Sequence, residues 1–265
     1  MRAVLFLTLV GLAGCAKKRE PAPADLEEIA AFMFRVWEDE ATLEGGMQNL
    51  APLLEANVDS DEAEEGWILT PLSAEAISGV DTNLEDPQLD LLLGAAVAAR
   101  SPFTLEEHAA TLVLQDQVFS NPTNYAAYDR DVWEGDSGTF PPGDTPLIRT
   151  RNDVETQNFG VTVPYILLKD YRWIRARGIE DAVIGRAWIE DVGCSPGGGN
   201  CLMQSWSIDL FYRDASTGGT IRFTSTWSQI ESSLNDVISE RVRLAALANG
   251  MHQVFESSDE WLAEG

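Results

Sequence analysis

The sequence contains few of the residues that carry most enzyme and metal chemistry. It has two histidines, His108 and His252, three cysteines, and 18 basic residues against 43 acidic ones. Neither histidine has a histidine, cysteine or aspartate at metal-ligand spacing, and both fall in helical patterns. No phosphate-binding glycine loop, dinucleotide fingerprint or hydrolase elbow occurs. We therefore expect no cofactor and no bound metal, and we favour a protein that is not an enzyme.

The N-terminal apolar run is too short to span a membrane, which takes about 20 residues. It extends from Ala3 to Val10, follows Arg2 and leads to Leu12-Ala13-Gly14-Cys15. One positive charge before a short apolar run is typical of a secretory signal peptide. The last four residues resemble the bacterial lipobox, and this resemblance implies a lipid on Cys15. The alternative is an ordinary signal peptide with a chance cysteine.

The lipobox resemblance also implies a location. Residues 1–14 would be removed, and residues 15–24 would form a Pro- and Ala-rich tether with a reach of at most about 30 Å. Several acyl chains on one cysteine hold a protein firmly at a membrane. Ala16 stands where an aspartate would signal inner-membrane retention, so the expected location is the bacterial cell envelope, at the outer membrane and facing the periplasm.

Acidic residues dominate the chain, which has a net charge of −25 at pH 7. Such a surface repels nucleic acid and favours solubility, so we predict no nucleic-acid partner. We interpret it as a solvated surface, with attraction of cations or basic partners as the alternative. The 45% of hydrophobic residues and eight tryptophans are enough to bury a core.

Cys194 and Cys201 are close together and flank a glycine-rich segment. In an exported chain, such a pair is normally a disulfide, and we predict a structural disulfide that pins a hairpin. A metal site would need more ligands than this pair offers, and a redox pair usually has a tighter spacing.

Residues 25–119 have mostly helical patterns and are predicted to form a helical N-terminal part. Its predicted elements are a helix from Asp25 to Gly45-Gly46, a helix over 47–56, an acidic loop over 59–65, a strand over 67–69, and an antiparallel helix pair whose members begin at Asp86-Pro87 and at Thr104-x-x-Glu107.

Residues 120–146 lack periodicity and are predicted to form a long acidic loop. Asp129, Asp131 and Asp136 are weak candidates for calcium ligands, because carboxylate oxygens suit that ion. Trp133 breaks the EF-hand spacing, and a solvated acidic loop is the alternative.

The segment Gly135-Asp136-Ser137-Gly138 is similar to the nucleophile segment of trypsin-like serine proteases. That family continues with Gly-Pro, whereas Thr139-Phe140 follow here. We therefore interpret the segment as a turn.

Residues 147–265 change to an alternating pattern, which predicts an antiparallel sheet followed by a C-terminal helix. Ser228-x-x-Glu231 predicts the start of that helix, Leu234 begins its apolar face, and Gly250 is expected to end or bend it. The predicted strands are 147–152, 161–173, 182–192, 202–213 and 220–228.

The fold class that follows is α+β. We predict an antiparallel sheet of about five to six strands packed against a long C-terminal helix, with the helical N-terminal part in the same domain. Four tryptophans of the sheet half either line a ligand pocket or fill the core. They are Trp173, Trp188, Trp206 and Trp227.

The order of elements over residues 67–256 resembles START-like helix-grip lipid-binding folds, in which the last helix closes an apolar cavity against a curved sheet. The resemblance is one of architecture, and architecture alone does not fix function. The first functional hypothesis is a membrane-anchored envelope lipoprotein with a non-enzymatic structural or partner-binding role. The alternative is a carrier or sensor of an apolar, lipid-like ligand between sheet and final helix. A third hypothesis is a hydrolase that uses carboxylates of the 129–144 loop.

Overall fold

The computed structural model of the chain describes residues 19–158, 161–175, 181–232 and 237–265. The predicted lipobox with Cys15 and the predicted helix residue Leu234 lie outside these ranges. The described helices are α1 (Leu26–Arg35), α2 (Glu40–Asn57), α3 (Asp61–Glu65), α4 (Ala74–Ile77), α5 (Leu105–Leu112) and α6 (Glu240–Glu264). None of these helices is both long and apolar enough to cross a membrane.

The strands form one antiparallel sheet in the order β1-β2-β9-β8-β6-β5-β4-β3, and β7 pairs with β8. This confirms the predicted α+β class, the antiparallel sheet and the C-terminal helix. The described residues contain nine strands, more than the five to six predicted. The strands are β1 (Trp67–Leu69), β2 (Leu93–Ser101), β3 (Tyr125–Glu134), β4 (Leu147–Asn158), β5 (Val161–Ile174), β6 (Ala182–Ile189), β7 (Gly193–Cys194), β8 (Asn200–Arg213) and β9 (Thr220–Ser232).

Successive side chains of each strand point to opposite sides of the sheet. Helices pack on both sides, so the sheet has a core on each face. We call the side under α1 and α2 the N-helix face; its core includes Trp206 and Phe223. We call the other side the C-helix face. There Phe211 packs near α5, and Val97 packs with Phe255 of α6.

The helix predicted from Asp86-Pro87 to Val97 is wrong. A short 3₁₀ turn over 89–91 precedes β2, which is paired on one side with β1 and on the other with β9. Both faces of β2 are buried over most of its length, so its sequence lacks the alternation that marks a half-exposed strand. A short apolar run of this kind does not distinguish a buried strand from a buried helix. Only α5 of the predicted helix pair exists, and its Thr104–Glu107 capping box is confirmed.

The long loop predicted over 120–146 is wrong in its first half, which contains the edge strand β3. Tyr128 and Arg130 are buried, whereas Asp129 and Asp131, which alternate with them, are exposed. The charged side chains hid this alternation from a hydrophobic pattern, and charges on an edge strand discourage pairing with another chain.

The predicted helix stop at Gly45-Gly46 is wrong, since α1 ends at Arg35 and α2 runs through both glycines. A Cβ at Gly46 would lie 2.6 Å from Cγ of Met33, so this glycine allows α1 and α2 to approach closely. The acidic segment 59–65, predicted to be a loop, contains α3 with Ser60 as its N-cap.

The C-terminal helix begins later than Ser228-x-x-Glu231 predicts. Strand β9 continues to Ser232, and α6 starts at Glu240 with Ser239 as its N-cap. Gly250 lies within the helix and does not end it.

The predicted disulfide between Cys194 and Cys201 is present, with Cα atoms 4.1 Å apart. The two cysteines are directly opposite each other in the β7–β8 pairing. The bond therefore closes the glycine-rich hairpin at its base.

Candidate functional site

The four tryptophans suggested as pocket residues are all at most 6% exposed. Trp188, Trp206 and Trp227 belong to the core of the N-helix face. Their indole N–H groups donate to described groups, for instance that of Trp227 to the carbonyl of Thr70 at 2.8 Å. Trp173 lies on the C-helix face, where it donates to the carbonyl of Phe140 at 2.7 Å. These placements favour the core alternative for all four side chains.

The three aspartates suggested as weak calcium ligands each have different surroundings in the structure. Asp129 accepts a hydrogen bond from Gln115 Nε2 at 3.0 Å, Asp131 is exposed on β3, and Asp136 accepts from the Gly138 amide at 2.8 Å. Asp136 thereby closes the turn predicted for the protease-like segment. The part of the chain that the structure describes contains no group of three or more His, Cys, Asp or Glu side chains that could hold a metal ion.

A different set of residues forms the candidate site. On the C-helix face, several side chains in the middle of the sheet are only half-buried, although buried strands flank them. We call this set the central strip; its members are Tyr165, Leu167 and Lys169 of β5, Ser205, Ser207 and Asp209 of β8, and Thr224 and Thr226 of β9.

Strand β6 contributes two small residues to the central part of this face. It lies between β5 and β8, and its residues opposite Tyr171 and Lys169 are Gly185 and Ala187. A Cβ at Gly185 would lie 3.0 Å from Cε1 of Tyr171 and 3.3 Å from Oδ2 of Asp209. The side chains of Tyr171 and Asp209 therefore occupy the space above Gly185, and the absence of a Cβ there allows them to approach each other across β6.

Lys169 is the central cation of the strip. Within the described ranges its ammonium forms no hydrogen bond or ion pair, and its Nζ lies 6.0 Å from the ring centroid of Tyr171. Burial lowers the pKa of Lys169, but its interactions with the neighbouring tyrosines and with Asp209 outweigh that effect and leave the pKa raised. The amine is therefore charged at neutral pH.

Arg130 is a second cation on the same face. It is 6% exposed, and its guanidinium carbon lies 5.9 Å from the ring centroid of Tyr171. Its Nε donates to Asn152 Oδ1 at 2.8 Å, and its Nη2 donates to the Tyr128 hydroxyl at 3.1 Å. Its partners among the described residues are neutral groups, and no carboxylate pairs with it.

Asp209 is the only carboxylate of the central strip. Burial raises its pKa, while Lys169 and a hydrogen bond from Thr224 oppose that rise without cancelling it. The Thr224 hydroxyl donates to Asp209 Oδ1 at 2.9 Å. The strip thus offers an unpaired ammonium, a carboxylate held by a hydroxyl, and further hydroxyls beside Leu167.

A Ser-His-Asp set lies at the border of this face, where it holds α6. Ser101 Oγ donates to Asp259 Oδ1 at 2.8 Å, and His108 Nε2 lies 2.8 Å from the same Oγ. Since the serine proton goes to the carboxylate, His108 donates to Ser101 and cannot act as its general base. His108 and Ser101 are both buried. The other histidine, His252, bonds the Glu64 carbonyl at 3.0 Å.

The apolar alternation of the sequence singles out the tryptophans and not the central strip, because most members of the strip are polar. The sequence does contain one signal for it: Lys17, Lys18 and Lys169 are the only lysines, so a single lysine lies beyond the N-terminal segment. That lysine falls within the alternating pattern of β5.

Comparison with family models finds no match, and comparison with curated proteins finds none either. Among solved structures, a STAR-related lipid transfer protein fragment from Xanthomonas axonopodis is 9% identical with a TM-score of 0.44, over 68% of this chain and 96% of that one. A protein of Thermus thermophilus is 13% identical with a TM-score of 0.40, over 64% and 97%. Ara h 8.0201 is 11% identical with a TM-score of 0.36, over 66% and 99%. The first of these is of the kind that the START-like resemblance names, but the identities and TM-scores are too low to carry a function to this chain.

Proposed function

We propose that this chain is a lipid-anchored envelope protein whose folded domain binds an apolar or amphipathic molecule on the C-helix face. The central strip is the observation that carries the binding proposal. Side chains in the middle of a sheet, between a buried strand and two helices, stay accessible only where the interior is open to solvent or a ligand. A purely structural role does not account for the half-buried Lys169 and Asp209 in the middle of this face.

Two open pockets among the described residues lie largely outside the central strip. One, of about 350 Å³, lies beside Glu20 and Asn49. The other, of about 490 Å³, lies where β3, β4 and β5 come together and includes Tyr128 and Tyr165 in its lining. The second is lined mostly by residues whose side chains lie on the N-helix face, among them Asp153 and Ile166, and Tyr165 is the one member of the central strip that borders it. Neither contains Lys169 or Asp209, so the proposal depends on the exposure of the strip.

A neutral apolar fluorophore, N-phenyl-1-naphthylamine, tests the binding proposal. The protein is residues 15–265 with Cys15→Ser, which leaves out the lipid. Ser207→Phe places an aromatic ring on the central strip opposite Ala187, and we expect it to weaken the affinity by about tenfold or more, because the added ring displaces the bound molecule. Fluorescence titration measures the affinity, and thermal unfolding shows whether the variant is folded.

Ala126→Phe is the matched control, since Ala126 is exposed on the edge strand β3. It adds the same ring outside the strip and should bind the fluorophore as the parent does. Equal affinity of a folded Ser207→Phe variant, or no binding by the parent, would contradict a binding site on this face.

The anchor proposal is supported by Leu12-Ala13-Gly14-Cys15. Part of the predicted tether is bound to the domain: Glu20 pairs with Arg35 at 2.6 Å, and Asn49 Nδ2 donates to the Pro23 carbonyl at 2.7 Å. Only residues 16–19 would then separate the lipid from the domain, a reach of at most about 14 Å. The domain would therefore stay close to the proposed outer membrane, on its periplasmic side.

Cys15→Ser tests the anchor. We expect most of the protein to move from the membrane fraction to the soluble fraction, because the variant has no thiol to carry the acyl chains. A Cys194→Ser/Cys201→Ser variant loses two cysteines elsewhere and should stay in the membrane fraction. Retention of the Cys15→Ser variant in membranes would rule out the lipid as the anchor.

A further inference from the structure

The centre of the C-helix face has an excess of positive charge, although the chain as a whole carries −25. Lys169 Nζ and the guanidinium carbon of Arg130 lie 6.0 and 5.9 Å from the ring centroid of Tyr171. Neither forms an ion pair with a carboxylate of the described residues, and Asp209 is the carboxylate that interacts with Lys169 at longer range. The excess is therefore at least one positive charge.

Burying an uncompensated charge is unfavourable, and proteins normally pair such a group or supply a counter-ion. Arg130 has its hydrogen bonds satisfied by Asn152, Tyr128 and a backbone carbonyl. Lys169 has no such partners among the residues that the structure describes, and its ammonium is the accessible one. An anionic group on a ligand would neutralise the charge of Lys169 and accept hydrogen bonds from its ammonium.

The neighbouring tyrosines add neutral donors. Burial raises the pKa of Tyr125 to about 12, and burial raises the pKa of Tyr165 as well. Both hydroxyls therefore keep their protons at physiological pH and can donate to an oxygen anion. Apolar surface is available beside them at Leu167, and on α6 at the half-buried Leu244 and Leu247.

We infer that the ligand of the central strip is an amphipathic monocarboxylate, whose carboxylate binds Lys169 Nζ and whose apolar chain lies along the strip past Leu167. This inference rests on the proposed function and specifies its ligand class. One negative charge matches the excess between Lys169, Arg130 and Asp209, whereas a dianionic group would exceed it.

The positive charge of Lys169 and Arg130 must attract an anion although the protein as a whole is negatively charged. An acidic protein repels anions at a distance, but salt screens this repulsion beyond about 8 Å at physiological ionic strength. Lys169 acts at contact distance and in a partly desolvated site, where a charge-assisted hydrogen bond is strong. The affinity for the anion should therefore depend on Lys169 far more than on any cation at the surface.

Isothermal titration with dodecanoate, dodecanol and dodecyl phosphate tests the inference on residues 15–265 with Cys15→Ser. Lys169→Met keeps the length of the side chain and removes its charge. We expect it to weaken dodecanoate binding by about 10- to 100-fold and to leave dodecanol binding unchanged. Lys169→Arg should retain most of the dodecanoate affinity, and it serves if the methionine variant does not fold.

Arg241→Gln is the matched control, because Arg241 is exposed on α6 and its loss changes the net charge equally. It should leave dodecanoate binding unchanged. If dodecanoate binds wild type and Lys169→Met equally, the carboxylate site is overturned while the proposed function survives. If neither dodecanoate nor dodecanol binds, both fail. Tighter binding of dodecyl phosphate than of dodecanoate would overturn the assignment to a single negative charge.

Discussion

Replacing Arg186 with methionine is expected to lower the free energy of unfolding by about 3 kcal/mol. Arg186 is 4% exposed and donates to Asp170 Oδ2 at 2.7 Å, and Asp170 is itself 3% exposed in its side chain. Without the guanidinium, less positive charge remains to offset the cost of burying the Asp170 carboxylate. Arg149 Nε, 3.6 Å from Asp170 Oδ1, remains as a weaker partner and places the expected loss at the lower end of the range for broken buried pairs.

Arg186 also joins the N-terminal helices to the sheet. Its guanidinium carbon lies 5.1 Å from the ring centroid of Trp37, beyond the end of α1, and 5.0 Å from that of Trp188 on β6. Its Nη2 lies 3.3 Å from Glu38 Oε1. The loss of one side chain thus affects both layers, and a single cooperative transition should shift as a whole.

Urea unfolding of wild type, Arg186→Met, Asp170→Leu and the double variant measures the coupling. The double variant should be more stable than Arg186→Met, because an apolar pair of similar size avoids the uncompensated charge. Arg151→Met is the control, since Arg151 is paired at the surface with Glu190 at 3.0 Å and its loss should cost about 1 kcal/mol or less. If Arg186→Met lost less unfolding free energy than Arg151→Met, the role assigned to the buried pair of Arg186 and Asp170 would be contradicted.

The sheet half of the fold could be predicted because its strands alternate. Trp206, Ile208 and Leu210 share the N-helix face, as their spacing indicates, and β4, β5, β6, β8 and β9 all occur near their predicted ranges. The alternation predicted which residues share a face. It could not predict what covers that face, because the packing of α1 and α2 against it depends on contacts distant in sequence.

The errors have the same physical origin. Strand β2 is buried on both faces by tertiary contacts, and its Ala- and Val-rich sequence suits a buried helix equally well. The central strip joins β5 and β8 across β6, so it requires the strand order, which no local pattern contains. Lys169 was visible in the sequence as an isolated lysine, but its relation to Asp209 and Gly185 was not.

The stability of the protein is expected to fall with acidification between about pH 6.5 and 3, and His108 is expected to be a principal cause. Burial and the charge of Arg222 lower the pKa of His108 from 6.5 to about 3. The unfolded chain therefore binds a proton in this range that the folded protein does not. The contribution of His108 is complete above pH 6.5 and decreases by about 1.4 kcal/mol per pH unit in the middle of the range.

His108→Gln isolates this contribution, because glutamine can still donate to Ser101 but does not titrate. Urea unfolding from pH 4 to 8 should show wild type losing stability relative to the variant as the pH falls. Asp170 and Asp209, whose pKa values are raised by burial, act in the opposite direction in both proteins and cancel in the difference. His252→Gln removes the other histidine and should follow wild type. Parallel curves for wild type and His108→Gln would contradict the assignment.

The contacts of His108 predict which part of the protein opens first at low pH. Through Ser101 it is bonded to Asp259, and Arg222 donates both to Asp259 Oδ2 at 2.8 Å and to the Phe255 carbonyl at 3.0 Å. Protonated His108 would place a second buried cation beside Arg222. The contacts that hold the last turns of α6 should therefore open before the sheet does, and amide hydrogen exchange over 255–262 should accelerate in wild type at pH 5 but not in His108→Gln.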